Sequence, residues 1–150
     1  MNEMSSDLHV VGKDLARTDA VPKTTGTAAY TVDISFPGML HAKVLRSPHA
    51  HARIAAIDAS RARTMPGVHA VITRDDLGGL NPTYGYFIKD QPVVAIDKVR
   101  YIGDTVAAVA AETELQAVAA LEKIAVEYEL LPVVPTIDAA MADSAPELFE

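Results

Sequence analysis

Two histidines separated by one residue, His49 and His51, are the first candidates for chemistry in the sequence. Side chains two positions apart on a β-strand point to the same face, so the two imidazoles could bind one metal ion. A metal site needs a third ligand, and no nearby aspartate, glutamate or histidine has an obvious spacing for it. The pattern favours a structural role, with the imidazoles hydrogen-bonded to loop carbonyls or solvent, and leaves metal binding as an alternative.

The carboxylate pairs have structural explanations. Asp75 and Asp76 begin a short helix, where negative side chains stabilise the N-terminus. Glu127 and Glu129 lie two apart on an alternating segment, which predicts one solvated strand face. No Ser, Thr or Lys is paired with a base as a nucleophile requires, and no phosphate-binding glycine motif occurs. Because the chain has no cysteine, it can supply no thiolate to zinc or to an iron–sulfur cluster. We predict no catalytic machinery.

The segment 78–91 is the one stretch whose residue types point to binding. It contains Gly, Asn and Pro together with Tyr84, Tyr86 and Phe87, outside any clear helix or strand. Loops of about fourteen residues in compact domains are usually functional or disordered. Two interpretations stay open: the rings form an exposed binding surface or lid, or they pack onto the domain's own core.

The composition excludes several classes of function. The chain has 150 residues, 49% of them hydrophobic, and a net charge of −7, which predicts one folded domain with a core. A pI near 5.1 argues against a nucleic-acid partner. The longest apolar run, 105–111, is far shorter than the roughly 20 residues of a membrane span. The first twelve residues lack the pattern of a signal peptide. We therefore expect a soluble, cytoplasmic protein.

The hydrophobic pattern predicts an α+β fold with small mixed sheets, a few short helices and one longer capped helix. Residues 105–111 are apolar at nearly every position, which is typical of a strand covered on both faces. Residues 1–23 have weak periodicity and read as an N-terminal arm, and 24–150 as the domain. The predicted strands are 28–32, 39–46, 51–57, 68–72, 92–96, 99–102, 105–111 and 124–131.

The longer helix is predicted to begin after Thr113. Thr113 and Gln116 have the spacing of a capping box, in which each side chain bonds the other residue's backbone N–H. The apolar positions at helical spacing, which should face the core, are Leu115, Val118, Leu121 and Ala125. A last short helix, 137–142, is expected to be capped by Thr136.

Several motifs in fixed order resemble one enzyme family. They are KTTGTAAYTVD (23–33), PGML (37–40), LRSPHAHARI (45–54), PGV (66–68), DKVRYIGDTVAAV (97–109) and VEYELLP (126–132). Together they look like the N-terminal α/β hammerhead domain of the large, molybdenum-binding subunit of the xanthine dehydrogenase and aldehyde oxidase family. The resemblance runs from about residue 12 to residue 150.

The resemblance implies a part of an oxidoreductase. Enzymes of this family hydroxylate a carbon with oxygen from water at a molybdenum–pterin centre, and electrons leave through iron–sulfur clusters, usually to a flavin (FAD). No stretch of this chain matches the family's pterin-contacting glycine-rich segments or its catalytic glutamate. No catalytic, cofactor-binding or metal residue is therefore assigned. The implied partners are a downstream molybdopterin-binding domain or subunit and the iron–sulfur and flavin subunits, with no nucleic acid or membrane.

One binding role follows from the resemblance. In the family, the loop before the strand matching 92–96 helps to line the funnel by which substrate reaches the metal. The residues expected to do so here are Tyr84, Tyr86, Phe87 and Ile88. The alternative is a stand-alone module that binds a small molecule or a protein through the same aromatic loop.

Overall fold

A computed structural model describes residues 9–149, and the chain divides into two units, Met1–Pro37 and Gly38–Glu150. The first unit contains helix α1 (Ala20–Thr25) and a 3₁₀ turn (Thr31–Asp33). None of the residues from 9 to 37 is buried. The described part of this unit therefore has no core of its own.

The strand predicted at 28–32 is wrong. The Asp33 carboxylate accepts a hydrogen bond from the Tyr30 backbone N–H at 2.9 Å, and the Asp33 N–H donates to the Tyr30 carbonyl. These local bonds close a turn where the apolar run alone indicated extended backbone. A short aspartate side chain competes in this way with the ladder that a strand would need.

The second unit contains eight strands and three helices among its described residues. The strands are β1 (His41–Arg46), β2 (Ala52–Asp58), β3 (Val68–Ile72), β4 (Thr83–Tyr84), β5 (Gln91–Pro92), β6 (Lys98–Val99), β7 (Thr105–Ala111) and β8 (Ala125–Leu130). The helices are α2 (Ser60–Arg63), α3 (Glu114–Leu121) and α4 (Ile137–Ala140), and a 3₁₀ turn follows β3 at Arg74–Leu77. Within residues 9–149, no helix has both the length and the apolar character needed to cross a bilayer.

Successive strands of the chain alternate between two three-stranded sheets. One sheet has the order β1–β7–β3, the other has the order β6–β2–β8, and β4 pairs with β5. The predicted α+β hammerhead class is confirmed, but every strand pair in the described residues is antiparallel, so the sheets are not mixed in strand direction. A parallel pair needs a crossover, usually a helix, and the one longer helix, α3, joins strands of different sheets.

Two predicted strands are shorter in the structure than the apolar runs that indicated them. Of 92–96, only the first residue belongs to a strand, and of 99–102 only Val99 does. Val94 and Ala95 are nevertheless buried, and the Ala95 N–H donates to the Thr105 carbonyl at 2.7 Å. The apolar character of these residues therefore reflects their burial in the core, although they form no strand ladder.

Helix α3 packs through its alanines. Ala117 and Ala120 are buried against Ala107, Val109 and Ala111 of β7 in the larger core cluster. Of the predicted stripe, Leu121 is partly buried against this cluster, but Leu115 is 82% exposed, Val118 is exposed, and Ala125 lies in β8. Alanine faces allow the backbones of helix and sheet to approach closely, so the small residues define the buried side.

Of the two hydrogen bonds predicted for the capping box at the N-terminus of α3, the structure has one. Thr113 Oγ1 accepts a hydrogen bond from the Gln116 backbone N–H at 3.2 Å. The Gln116 side chain does not return to the Thr113 backbone: its Oε1 accepts from the Thr113 hydroxyl and its Nε2 donates to the Pro66 carbonyl. The glutamine therefore ties α3 to the turn before β3. Thr136 caps α4 as predicted, accepting from the Ala139 N–H at 3.2 Å.

Candidate functional site

A short hairpin supports the aromatic segment. Thr83 pairs with Pro92 and Tyr84 pairs with Gln91, and the Val93 N–H donates to the Pro82 carbonyl at 3.0 Å. The stretch predicted as one long loop therefore contains two paired strands. Their pairing gives the connecting turn, residues 85–90, a defined base.

The aromatic side chains of this hairpin are exposed. Tyr86 and Phe87 are 93% and 92% exposed, and Ile88 and Tyr84 are exposed as well. The rings of Tyr86 and Phe87 meet edge to face, with centroids 4.8 Å apart. The sequence left open whether these side chains are exposed or pack onto the core of the domain, and in the structure they are exposed. We call these four side chains the aromatic tip.

Gly85 makes the shape of the tip possible. A Cβ atom at this position would lie 1.7 Å from the Ile88 carbonyl oxygen, within the same turn. Backbone cannot yield at that distance as a flexible side chain could. Glycine is therefore required by a close approach of two backbone segments.

A cleft of about 480 Å³ lies beside the hairpin, lined by both polar and apolar side chains, among them Thr83, Ile88 and Arg100. The Arg100 guanidinium is engaged within the chain: Nε donates to the Leu148 carbonyl at 2.7 Å, and Nη1 donates to the Lys98 carbonyl. It also lies 5.2 Å from the centre of the Phe149 ring. This arginine therefore anchors the C-terminal segment.

The histidine pair has a structural role, as the sequence favoured. His51 is buried, and its Nδ1 lies 2.7 Å from the Pro132 carbonyl oxygen. A carbonyl can only accept, so Nδ1 carries the proton and donates. The His49 ring packs edge-on against Tyr128, with centroids 4.9 Å apart. The two imidazoles thus tie the start of β2 to β8 and to the segment after it.

The described residues do not fit a role as ligands of a metal centre. Across residues 9–149, no group of three or more histidine, aspartate or glutamate side chains converges so as to hold an ion. The sequence also has no cysteine for an iron–sulfur cluster.

The carboxylate of Asp76 has a structural role. Asp76 accepts from the Thr73 N–H at 2.7 Å and from the Thr73 hydroxyl at 2.8 Å, which caps the 3₁₀ turn. Burial raises the pKa of Asp76, but the hydrogen bonds from Arg63 and Thr73 outweigh it, so the pKa lies below its ordinary value. Glu127 and Glu129 are both exposed, which agrees with the predicted solvated face.

A second surface is apolar and lies on the sheet β1–β7–β3. Directly opposite residues on neighbouring strands point to the same face. Ala110 pairs with Ala42 and Ala70, and Ala108 pairs with Val44 and Ile72. We call these six residues the sheet face. The alternation of the predicted strand 39–46 puts Ala42 and Val44 on one side of β1, and the structure shows that this side is exposed.

The two interleaved antiparallel sheets, the capped helix and the exposed hairpin define an α+β domain of the hammerhead type. Residues 25–132 match the family model described as "Aldehyde oxidase and xanthine dehydrogenase, a/b hammerhead domain". Since the match covers more than half of the chain, the chain belongs to the aldehyde oxidase and xanthine dehydrogenase family. The predicted resemblance is confirmed.

The relatives are much longer proteins. The chain is 50% identical over 134 residues to a probable xanthine dehydrogenase subunit of Bacillus subtilis (strain 168), covering 89% of this chain and 18% of that protein. It is 41% identical to the nicotinate dehydrogenase large molybdopterin subunit of Eubacterium barkeri, covering 97% and 34%. The reconstituted CO dehydrogenase from Oligotropha carboxidovorans superposes with a TM-score of 0.81 at 41% identity, covering 90% and 17%. The chain thus spans at most about a third of each of these relatives.

Proposed function

We propose that this chain serves a molybdenum hydroxylase as a structural part that packs on the molybdopterin-binding domain and lines the substrate channel. In this proposal residues 24–150 form the hammerhead domain and 1–23 an arm. Membership of the family supports it, as does the small share of each relative that the chain covers. The molybdenum–pterin centre, the iron–sulfur clusters and the flavin belong to other domains or subunits of the complete enzyme, and they supply the redox chemistry.

The observation that carries the channel role is the aromatic tip. Tyr84, Tyr86, Phe87 and Ile88 present apolar surface outward from a paired base instead of covering their own core. Binding pockets for small molecules are lined mainly by aromatic and apolar side chains, which remove water from the ligand. In the assembled enzyme the tip would shield one side of a flat substrate and restrict its orientation.

Shape selection by the tip predicts a particular kinetic effect. Removing one ring widens the channel without touching the metal, so it changes the relative kcat/KM of bulky and small substrates. The chain itself moves no proton and forms no bond in this proposal. Its contribution is uniform binding and orientation, which appears mainly in KM and in selectivity.

The test is the Phe87→Ala variant of the complete enzyme. We expect altered kcat/KM for bulky substrates relative to small ones, with the molybdenum content unchanged. Leu115→Ala is the matched control, because Leu115 is also an exposed apolar residue but lies on α3, away from the tip. Loss of molybdenum from the Phe87 variant, or unchanged selectivity, would contradict the channel role. Substrate turnover by the purified 150-residue chain alone would contradict the proposal that it is non-catalytic.

A further inference from the structure

The hairpin of β4 and β5 projects from the core of its unit. Its two strands pair with each other and with no third strand among the described residues. No residue from 78 to 93 is buried, whereas Thr73 before this segment and Val94 after it are. The Ala95 N–H donates to the Thr105 carbonyl at 2.7 Å, so the chain is fixed to the core immediately after the hairpin.

Two consecutive glycines attach the hairpin on its N-terminal side. Gly78 and Gly79 have φ angles of 58° and 82°, in the left-handed region that favours glycine. A Cβ atom at either position would meet nothing within 4 Å, so the space around this backbone is open. Hinges in proteins are a few loop residues, often small ones, that absorb changes of φ and ψ. This attachment can therefore act as a hinge.

The cleft of about 480 Å³ lies between the hairpin and the segment around β6. The hairpin contributes Lys89 and Asp90 to its lining, and the segment around β6 contributes Asp97 and Arg100. An adjoining space of about 60 Å³ is lined by Asp90 and Arg100 but not by Lys89. Within the part of the chain that the structure describes, neither the Lys89 nor the Asp90 side chain makes a hydrogen bond or an ion pair. Each side of the cleft therefore carries one positive and one negative charge, and the two on the hairpin are unpaired.

The side of the cleft opposite the hairpin is fixed to the core. The Arg100 backbone N–H donates to the buried Asp104 carboxylate at 3.0 Å. The Asp97 carbonyl accepts from the Ile54 N–H at 2.8 Å, and Ile54 is buried in β2. The Arg100 guanidinium lies 3.5 Å from the Asp97 carboxylate, which keeps these two charges together. A movement that closes the cleft is therefore a movement of the hairpin.

We propose that residues 82–93 form a hinged lid that closes over this cleft. On closure Lys89 meets Asp97 and Asp90 meets Arg100, and we call these two ion pairs the latch. Exposed ion pairs are weak, so the latch sets an equilibrium between an open and a closed form. The paired base carries the aromatic tip with the lid. In the complete enzyme this movement opens and closes the substrate channel, and that role of the lid rests on the proposed function.

The test is a distance measurement between two spin labels on the 150-residue chain, which has no cysteine of its own. The labels are attached at Tyr86→Cys, in the aromatic tip, and at Ala55→Cys, an exposed residue of β2 next to Ile54. We expect two populations of distances, the shorter one from the closed lid. Lys89→Gln or Asp97→Asn should lower the ratio of the shorter to the longer population by about two- to fivefold. The double variant should lower it no further than one single variant, because both changes break the same ion pair.

Lys123→Gln is the matched control, because it removes the charge of another exposed lysine that lies after α3, away from the cleft. It should leave the ratio unchanged, whereas 1 M salt should lower the ratio in the labelled chain by screening the latch. A single population of distances, a ratio that the latch variants do not change, or additive effects in the double variant would each overturn the proposal. The substrate selectivity of Phe87→Ala is measured separately in the complete enzyme, so failure of the lid is distinguishable from failure of the channel role.

Discussion

Arg63 donates two hydrogen bonds through Nη2 to the carboxylate of Asp76, at 2.8 and 2.7 Å. Through Nη1 it also donates to the Val71 carbonyl at 3.0 Å. One guanidinium thus joins α2, β3 and the 3₁₀ turn that leads to the hairpin.

The Arg63–Asp76 pair predicts a loss of stability in acid. The folded-state pKa of Asp76 lies below its ordinary value, so its contribution is complete above the unfolded-state pKa, about 3.9. It is lost as the pH falls through the folded-state pKa. Asp76→Asn should lower the free energy of unfolding at neutral pH by about 1–3 kcal/mol and flatten its decline in acid. Urea unfolding across this pH range measures both effects, with Asp75→Asn as the exposed control.

The close approach at Gly85 predicts a local change in the hairpin. The new methyl group of Gly85→Ala would meet the Ile88 carbonyl oxygen, so the tip must rearrange at a cost of roughly 1–3 kcal/mol. Amide chemical shifts should change in residues 83–92 and stay constant in the two larger sheets. In the complete enzyme, substrate selectivity should shift as for Phe87→Ala. Thr83→Ala is the control in the same hairpin, and unchanged tip resonances in Gly85→Ala would refute the steric argument.

The buried alanine side of α3 predicts that substitutions at Ala117 and Leu115 change the stability by very different amounts. Ala117→Leu forces a larger side chain between α3 and β7 and should destabilise the unit by about 1–3 kcal/mol. Leu115→Ala changes an exposed residue and should alter stability by no more than about 0.5 kcal/mol. Thermal unfolding of both variants measures the difference. The reverse ranking would show that the leucine side faces the core.

The cap at the start of α3 predicts that removing the Thr113 side-chain oxygen lowers the stability slightly and that a serine restores it. Thr113→Ala removes the oxygen that accepts from the Gln116 N–H and should cost about 1 kcal/mol. Thr113→Ser keeps that oxygen and should restore most of the stability. Denaturant midpoints of the three proteins are the measurement. A serine variant as unstable as the alanine variant would mean that the threonine methyl group matters more than the cap.

The features that sequence reasoning predicted correctly were mostly local ones. The caps at Thr113 and Thr136 and the alternating strand β8 each depend on residues a few positions apart. The family motifs identified the hammerhead fold. The exposure of Phe87 could not be read from the residues, because a ring in a glycine-bearing loop can pack inward or outward at similar local cost.

The wrong predictions concern positions whose burial depends on contacts with residues distant in the sequence. The stripe through Leu115 and Val118 had the correct spacing for a helix, but the alanines of β7 selected the other side of α3. The side of β1 that carries Ala42 and Val44 is apolar, yet it is exposed in this unit. Hydrophobic periodicity therefore indicates the type of element, and contacts between residues distant in the sequence determine which of its sides is buried.

The alternation of the chain between two sheets has a consequence for synthesis on the ribosome. His41 in β1 pairs with Ala111 in β7, and Ala52 in β2 pairs with Val99 in β6 and with Leu130 in β8. Each of these partners is synthesised much later than the residue it pairs with. Contacts so distant along the chain close slowly, because the intervening loop must first be ordered. The sheet β1–β7–β3 cannot be completed before Ala111 has left the exit tunnel, and the sheet β6–β2–β8 cannot be completed before Leu130 has left it. A nascent chain that stops before β7 therefore exposes unpaired strands to chaperones and proteases.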